Sequence, residues 1–510
     1  MKKPSGKANG AALPFHLVGL WTVAVTLFVV TANGSAVGHR RVHVVELTEF
    51  GAVGDGVTSN TKAFREAISH LSGLASSGGS MLVVPSGRWL TGPFNLTSHF
   101  TLFLQRRAVI VASTDMEEYP IVAPLPSYGR GRDMPGGRYS NFIWGSNLTD
   151  VIITGENGTI DGQGEFWWDK FRNNELKATR GHLLELMFSK NIVVSNLTFL
   201  NSPFWNLHPV YCKNVVITHV TVVSPVDSPN TDGINPDSSS HVLIEDCSVV
   251  SGDDCVAIKS GWDEYGIRFG IPSAHITIRR LSCVSPDSAA VAIGSEMSGG
   301  IRHVLAEDVS AFDTESAIRI KTGVGRGGFV RHIRVRRVRL RNVRYVFWIT
   351  GNYGSHPDGG WDPRALPKVS GIRYSDVFAE NVTGLVGRME GIENDVFVNI
   401  CLENVTALPN NVVDSSSPRW KCINVEGKAY RVSPRPCAGL VETAKPCSLL
   451  GPPARPLAHC LVPNDVQQVG GGGCPTRTSE CAACAVEEPS SFNVEEACPA
   501  HSCDALRGVM

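Results

Sequence analysis

The sequence lacks any excess of charge: 47 Lys and Arg stand against 48 Asp and Glu, a formal net charge of −1 over 510 residues. This excludes a global electrostatic attraction to nucleic acid or to an anionic membrane, so binding to a polyanion requires a local patch. After residue 36 no apolar run is long enough to span a bilayer. Beyond about residue 80 helical periodicity is scarce. The Gly-rich stretch Phe50-Gly51-Ala52-Val53-Gly54-Asp55-Gly56 lacks both the Lys and Ser/Thr of a P-loop and the spacing of a dinucleotide fingerprint. A tight turn is the expected structure there.

What is present begins with a leader. Lys2, Lys3 and Lys7 precede an apolar run from Leu17 to Ala32, and Gly34, Ser35 and Ala36 offer small residues for cleavage after Ala36. Residues 1–36 are read as a signal peptide or, uncleaved, a signal anchor; a membrane is a partner only in the second case. Sequons at Asn95, Asn147, Asn157, Asn196, Asn381 and Asn404 agree with a secreted, extracellular glycoprotein. In that oxidising setting the default reading of the 14 Cys is disulfide bonding, and ten of them follow residue 400. Residues 441–510, rich in Gly, Pro and Cys, read as a poorly ordered or disulfide-tied tail. Within it, Cys481-x-x-Cys484 is read as ordinary disulfide chemistry rather than zinc.

Residues 37–440 form the expected main domain. After the opening turn comes a short amphipathic helix with Asn60 as its cap and Phe64, Ile68 and Leu71 on one face. A strand pattern then recurs, a polar Asn or His followed by alternating aliphatics. Copies start at Asn191, Asn214, His241, His275, His303 and His332, with looser ones near Asp150 and Asn399. A repeat of a few dozen residues made of short strands and Gly-rich turns is the signature of a solenoid. With no helices between the strands, the expected fold is all-β, a single-stranded parallel β-helix with a short N-terminal capping helix; a β-sandwich is the rival.

Three segments carry candidate chemistry: Asn230-Thr231-Asp232-Gly233-Ile234, Gly252-Asp253-Asp254-Cys255-Val256-Ala257-Ile258-Lys259, and Arg319-Ile320-Lys321. Asp232 precedes Asp253 by about one coil, so the two stack on adjacent coils, about 4.8 Å apart. Asp253 and Asp254 both face outward only at a turn or bulge, which Gly252 permits. Three gathered carboxylates raise each other's proton affinity. Glycoside hydrolysis with inversion uses one carboxylic acid on the leaving oxygen and a carboxylate on a water, spaced to admit that water. The alternative reading is turn residues or calcium ligands. Arg319 and Lys321 alternate with Ile318 and Ile320, so the cations face outward, able to hold a carboxylated sugar. The eight Arg from Arg326 to Arg344 read as a solvated strand face. Trp167, Trp168, Trp205 and Trp348 are candidates to stack on sugars, although buried aromatics are the commoner outcome.

With these residues in hand, the chain resembles glycoside hydrolase family 28, the polygalacturonase or pectinase family, in its plant-type branch. The resemblance runs from Phe50 to Leu440 through Gly158-Thr159-Ile160-Asp161-Gly162-Gln163-Gly164, Ser202-Pro203-Phe204-Trp205 and the three segments above, in family order. It implies a right-handed parallel β-helix, inverting hydrolysis of galacturonan in pectic polysaccharide, and no metal; no cofactor, no nucleic-acid partner and a monomer are expected alongside it. It also implies roles: Asp253 as general acid, Asp232 and Asp254 as the water-activating carboxylates, and Arg319, Lys321 and Tyr353 as substrate-binding residues. One departure stands out. Ala289 occupies the place of the His in the Gly-His-Gly segment of endo-acting members, and a methyl group neither donates a hydrogen bond nor carries charge. The following Gly294-Ser295-Glu296-Met297-Ser298-Gly299-Gly300 resembles a subgroup with exo-acting enzymes, so exo action is the favoured expectation. A rhamnogalacturonan or substituted-galacturonan hydrolase and a non-catalytic pectin-binding homologue are the alternatives.

Overall fold

The computed structural model describes residues 41–410 and 419–447, with the backbone of two short strands at Val29–Val30 and Ala36–Val37. The expected leader otherwise falls outside the described residues, as does the chain after Cys447, including Cys481 and Cys484.

The recurring Asn and His residues turn out to be corners. Asp150, Asn191, Asn214, His241, His275, His303, His332 and Asn399 all have φ between 54° and 60°. This left-handed conformation is one that short polar side chains tolerate. It bends successive coils at the same place, so these corners stack. The rings of His241, His275, His303 and His332 lie 4.9, 4.9 and 4.8 Å apart in sequence, and Asn214 donates to Asn191 at 3.0 Å. Between corners, the alternating aliphatics pair in parallel register from coil to coil, as in Val215↔Val242, Val242↔Ile276 and Ile276↔Val304. Three such ladders enclose one core. The strands are parallel throughout these ladders and joined by crossovers, which excludes a sandwich; the fold is a right-handed parallel β-helix. Each fully buried Ile or Val contributes about 1.5–3 kcal/mol of apolar burial.

Helix α1, Thr61–Leu74, lays Phe64, Ile68 and Leu71 over the N-terminal end of that core. Asn60 stands at its N-cap position but does not cap it. Its side chain instead holds the preceding turn, accepting from Val53 N at 2.7 Å and donating to Val53 O, Thr58 O and Leu90 O. At the C-terminal end the chain stays ordered past the expected boundary at 440. Leu440–Glu442 pairs with the strand Val425–Ser433, and disulfides Cys422–Cys437 and Cys401–Cys447 tie the segment down. A third disulfide, Cys255–Cys283, joins neighbouring coils. Cys212 and Cys247 depart from the disulfide expectation. They are unpaired buried thiols among the described residues, and burial pushes their pKa up to about 12 and about 11. All six sequon asparagines are exposed.

One ladder positions the site. Its strands are β1 (Phe94–Asn95), β2 (Ile143–Ser146), β3 (Leu184–Met187), β4 (Leu207–Val210), β5 (Val256–Ile258), β6 (Ala289–Ile293), β7 (Ile301–Lys321), β8 (Phe329–Thr350), β9 (Gly387–Glu390) and β10 (Trp420–Ile423). Ile234 bridges β4 to β5. The register column Ile143, Leu184, Leu207, Ile234, Val256, Val291, Ile318, Phe347 faces inward. One residue further on, Trp144, Glu185, His208, Asn235, Ala257, Ala292, Arg319, Trp348, Arg388 and Lys421 form the outward row.

Candidate active site

Asp232 and Asp254 each lie two residues before an inward residue of this ladder, Ile234 and Val256, which pair with each other. The coil spacing therefore stacks them as expected. Residues 251–254 form a turn rather than a strand, which lets Asp253 and Asp254 reach the same wall. Gly252 is required there, since a Cβ would meet Ser228 O at 2.0 Å. One carboxylate oxygen of each of Asp232, Asp253 and Asp254 lies within 4.8 Å of the others. That is tighter than the roughly 6.5–9.5 Å between the carboxyl groups of most inverting pairs. A water hydrogen-bonded to two oxygens spans up to about 5.5 Å, so this spacing still admits one bridging water.

Two lysines balance the three carboxylates. Lys321 Nζ lies 2.5 Å from Asp254 Oδ2, and Lys259 Nζ lies 3.4 Å from Asp232 Oδ2 and 3.2 Å from Glu296 Oε2. Both cations oppose the positive charge that a metal ion would bring to the cluster. Lys321 faces outward from the core as the alternation requires, but it is buried and ion-paired with Asp254. Arg319 is the more accessible cation of the pair, its guanidinium 3.6 Å from the Trp348 ring and 5.9 Å from that of Tyr353. The structure thus gathers the three aspartates, Arg319, Lys321 and Tyr353 at one place. Ala289 is there too, clustered with Ala257 and Ala292 beneath the charged groups, and its N–H donates to Asp254 Oδ1 at 3.1 Å.

The three carboxyls do not shift together. Burial pushes Asp232 up to about 7, with repulsion from Asp253 adding to it and Lys259 opposing. Burial acts on Asp254 in the same direction, but Lys321, Lys259 and the hydroxyl of Ser288 outweigh it and hold Asp254 below the usual carboxylate range. The expectation of mutual elevation thus fails for Asp254, because a lysine sits on it. The raised Asp232 has a stability consequence. Its favourable contribution is complete below about pH 4, where an unfolded Asp is also protonated, and is lost as pH rises through about 7. Asp232→Asn should therefore have a higher thermal midpoint than the wild type at pH 8 and an equal one near pH 4. Midpoints measured across that range check this; a gap independent of pH would refute it.

Sequence reasoning left Lys259 without a role, although Ala257-Ile258-Lys259 repeats the pattern of Arg319-Ile320-Lys321, and Ile258 and Ile320 share one register column through Ile293. It missed Arg180, Arg132 and Ser288 altogether, none of which lies in a legible motif. Trp167, Trp168 and Trp205 are buried, and only Trp348 stands in the groove. Arg326 is likewise not on the outer face: it is fully buried and paired with Asp263. Arg336 and Arg337 pair with Glu307, and Arg337 also with Asp308, as a solvated face would.

The outward row changes character along the helix. Glu185 and His208 point away from the core yet are 0% exposed. A loop spanning 123–139 covers them. Arg138 binds Glu185 at 2.7 Å, Tyr128 Oη donates to Asp237 at 2.6 Å, and Ser127 meets Tyr211 Oη at 2.7 Å. Further along, the loop holds Glu296 through Arg132 at 2.8 Å and reaches Pro357 O through Arg130 at 2.8 Å. Past the aspartates the row opens. Arg319, Trp348 and Arg388 are half-buried and Lys421 is exposed.

A parallel β-helix whose groove holds clustered carboxylates beside cations is the architecture of a polysaccharide-cleaving glycosidase. Residues 82–434 match Glycosyl hydrolases family 28, and the chain belongs to that family, in its plant-type branch. It is 56% identical over 402 residues to a Vitis vinifera protein named "Probable polygalacturonase", covering 79% of this chain and 81% of that one. A hyperthermoactive exopolygalacturonase from Thermotoga maritima shares 28% identity, with a TM-score of 0.65 over 79% of this chain and 92% of its own. A polygalacturonase from Erwinia carotovora shares the fold, with 22% identity and a TM-score of 0.60 over 76% of this chain and 96% of its own.

Proposed function

We propose that this protein is an exported, monomeric hydrolase that removes galacturonosyl units from the ends of α-linked galacturonan in the plant cell wall. The observation that carries exo action is the roof formed by the loop at 123–139. It closes the groove on the N-terminal side of the aspartates, where Glu185 and His208 lie at 0% exposure, while the C-terminal side stays open. A polymer entering from the open side meets a dead end just past the catalytic groups. Arg319, Arg388 and Lys421 line its path, supporting a chain of carboxylated sugars. The leader, the disulfides and the exposed sequons support export.

Asp253, the half-exposed carboxyl of the three, protonates the leaving oxygen, and Asp232 and Asp254 hold the attacking water between them. Arg319 and Tyr353 hold a substrate carboxylate and ring, and Lys321 keeps Asp254 anionic. Chromatographic sizing of early products from polygalacturonate tests the chain-end reading: monomer or one short product from the first time point is expected, and a ladder of intermediate lengths overturns it. Proton NMR of the fresh product tests stereochemistry. The β-anomer appears first under inversion; the α-anomer would mean retention, the outcome that close carboxylate spacing favours in other glycosidases.

A further inference from the structure

Ser288 stands beside Ala289, on the turn entering β6. Its Oγ lies 3.0 Å from Asp253 Oδ1 and 2.6 Å from Asp254 Oδ1. A hydroxyl carries one hydrogen and donates one hydrogen bond. Two ionised carboxylates cannot both be satisfied by it, since one contact would set lone pair against lone pair. The geometry is satisfied when one carboxyl is protonated, so that Oγ accepts from that group and donates to the other.

The surroundings decide which one. Asp254 is built to be an anion. It accepts from Lys321 Nζ at 2.5 Å on one oxygen and from Ala289 N at 3.1 Å on the other, the same oxygen that faces Ser288. Asp253 has no lysine in contact. It receives the neutral amide of Asn230 at 3.2 Å and the N–H of Asp254 at 2.9 Å. Asn230 is turned this way by Arg180, which donates to its side-chain oxygen at 3.2 Å. The remaining charges facing Asp253 are the Asp232 carboxylate on the preceding coil and the ammonium groups of Lys259 and Lys321, which act on it without touching it.

We infer that Ser288 is a positioning residue for hydrolysis: its hydroxyl accepts a hydrogen bond from protonated Asp253 and donates one to ionised Asp254, so that the general acid is loaded and a water-holding carboxylate is charged at the same time. In this chain the serine fills the polar role beside the alanine that replaces the family's histidine. The order Asp253 O–H to Ser288 Oγ–H to Asp254 joins the acid and a water-holding carboxylate through one hydroxyl. The inference rests on the reading of Asp253 as the acid.

Two measurements test it on the full-length secreted protein. The first compares Ser288→Ala with Ser288→Thr, which keeps the hydroxyl. For Ser288→Ala the expected result is a fall in kcat of about tenfold or more, with little change in KM. The alkaline limb of the kcat/KM profile should move to lower pH by about one unit, because protonated Asp253 has lost its acceptor. Ser288→Thr should restore both rate and profile. A Thr variant as impaired as the Ala variant would mean that packing, not the hydroxyl, matters, and an unmoved profile in Ser288→Ala would equally overturn the inference. The second needs no substrate and no Ser288 variant. In infrared difference spectra at neutral pH, a carboxylic-acid carbonyl band of the wild type should vanish in Asp253→Asn and persist in Asp232→Asn. The reverse pattern places the proton on Asp232 and sinks the inference. A wrong substrate assignment would leave this second result readable, so the two failures are distinguishable.

Discussion

Asp253→Asn should release reducing ends from polygalacturonate about 10²–10⁴-fold more slowly than the wild type while remaining folded. The substitution keeps the shape of the side chain and its contacts. An amide oxygen can still accept from Asp254 N, and only the long contact with the Asn230 amide is lost. What is lost is the transferable proton. Asp254 does not replace it, because Lys321 holds Asp254 anionic, and Asp232 is buried and paired with Lys259. Rates by reducing-end assay together with thermal midpoints separate chemistry from folding. Activity within about threefold of the wild type would remove Asp253 from the acid role.

Arg180→Leu carries the largest expected cost in stability, about 3–5 kcal/mol. Arg180 is fully buried. It pairs with Asp133 at 2.9 Å, donates to Pro203 O and Pro229 O at 3.0 and 2.8 Å, and lies over the rings of Phe171 and Phe204. Replacing it with leucine leaves Asp133 as a buried charge without its cation and two carbonyls without their donor. For a domain of this size the thermal midpoint should fall by about 4–6 °C. The variant should also lose activity, since Asp133 belongs to the roofing loop and Asn230 touches Asp253. Differential scanning calorimetry checks the first effect; a midpoint within about 1 °C of the wild type would contradict it.

Much of this is legible in the sequence alone. The repeat could be read because each coil turns at a polar residue in left-handed conformation, and that requirement reappears in sequence as Asn or His at Asn191, Asn214, His241, His275, His303 and His332. The aspartate cluster could be read because stacking converts one coil of sequence into adjacency. The roof could not. Arg130 and Pro357 are 227 residues apart, and no periodicity connects a loop to the groove it crosses. Ser288 and Arg180 were hidden for a related reason. A lone hydroxyl or guanidinium acquires its role from which distant turns converge on it, as Asp133, Pro203 and Pro229 do on Arg180. The direction of the Asp254 shift needed the same information, since it depends on Lys321 two coils further along the chain.

A stack of parallel strands is in principle endless: its final coil offers the same unpaired backbone to a second molecule that each inner coil offers to the next. Helix α1 lies across the first coils, with Phe64 stacked on Phe94. At the other end, two cystine cross-links hold Leu440–Glu442 against the last long strand. These plugs cover the backbone at the two ends of the described solenoid. A reducing environment would loosen one of them, so an oxidising compartment guards the last described coil as well as the fold.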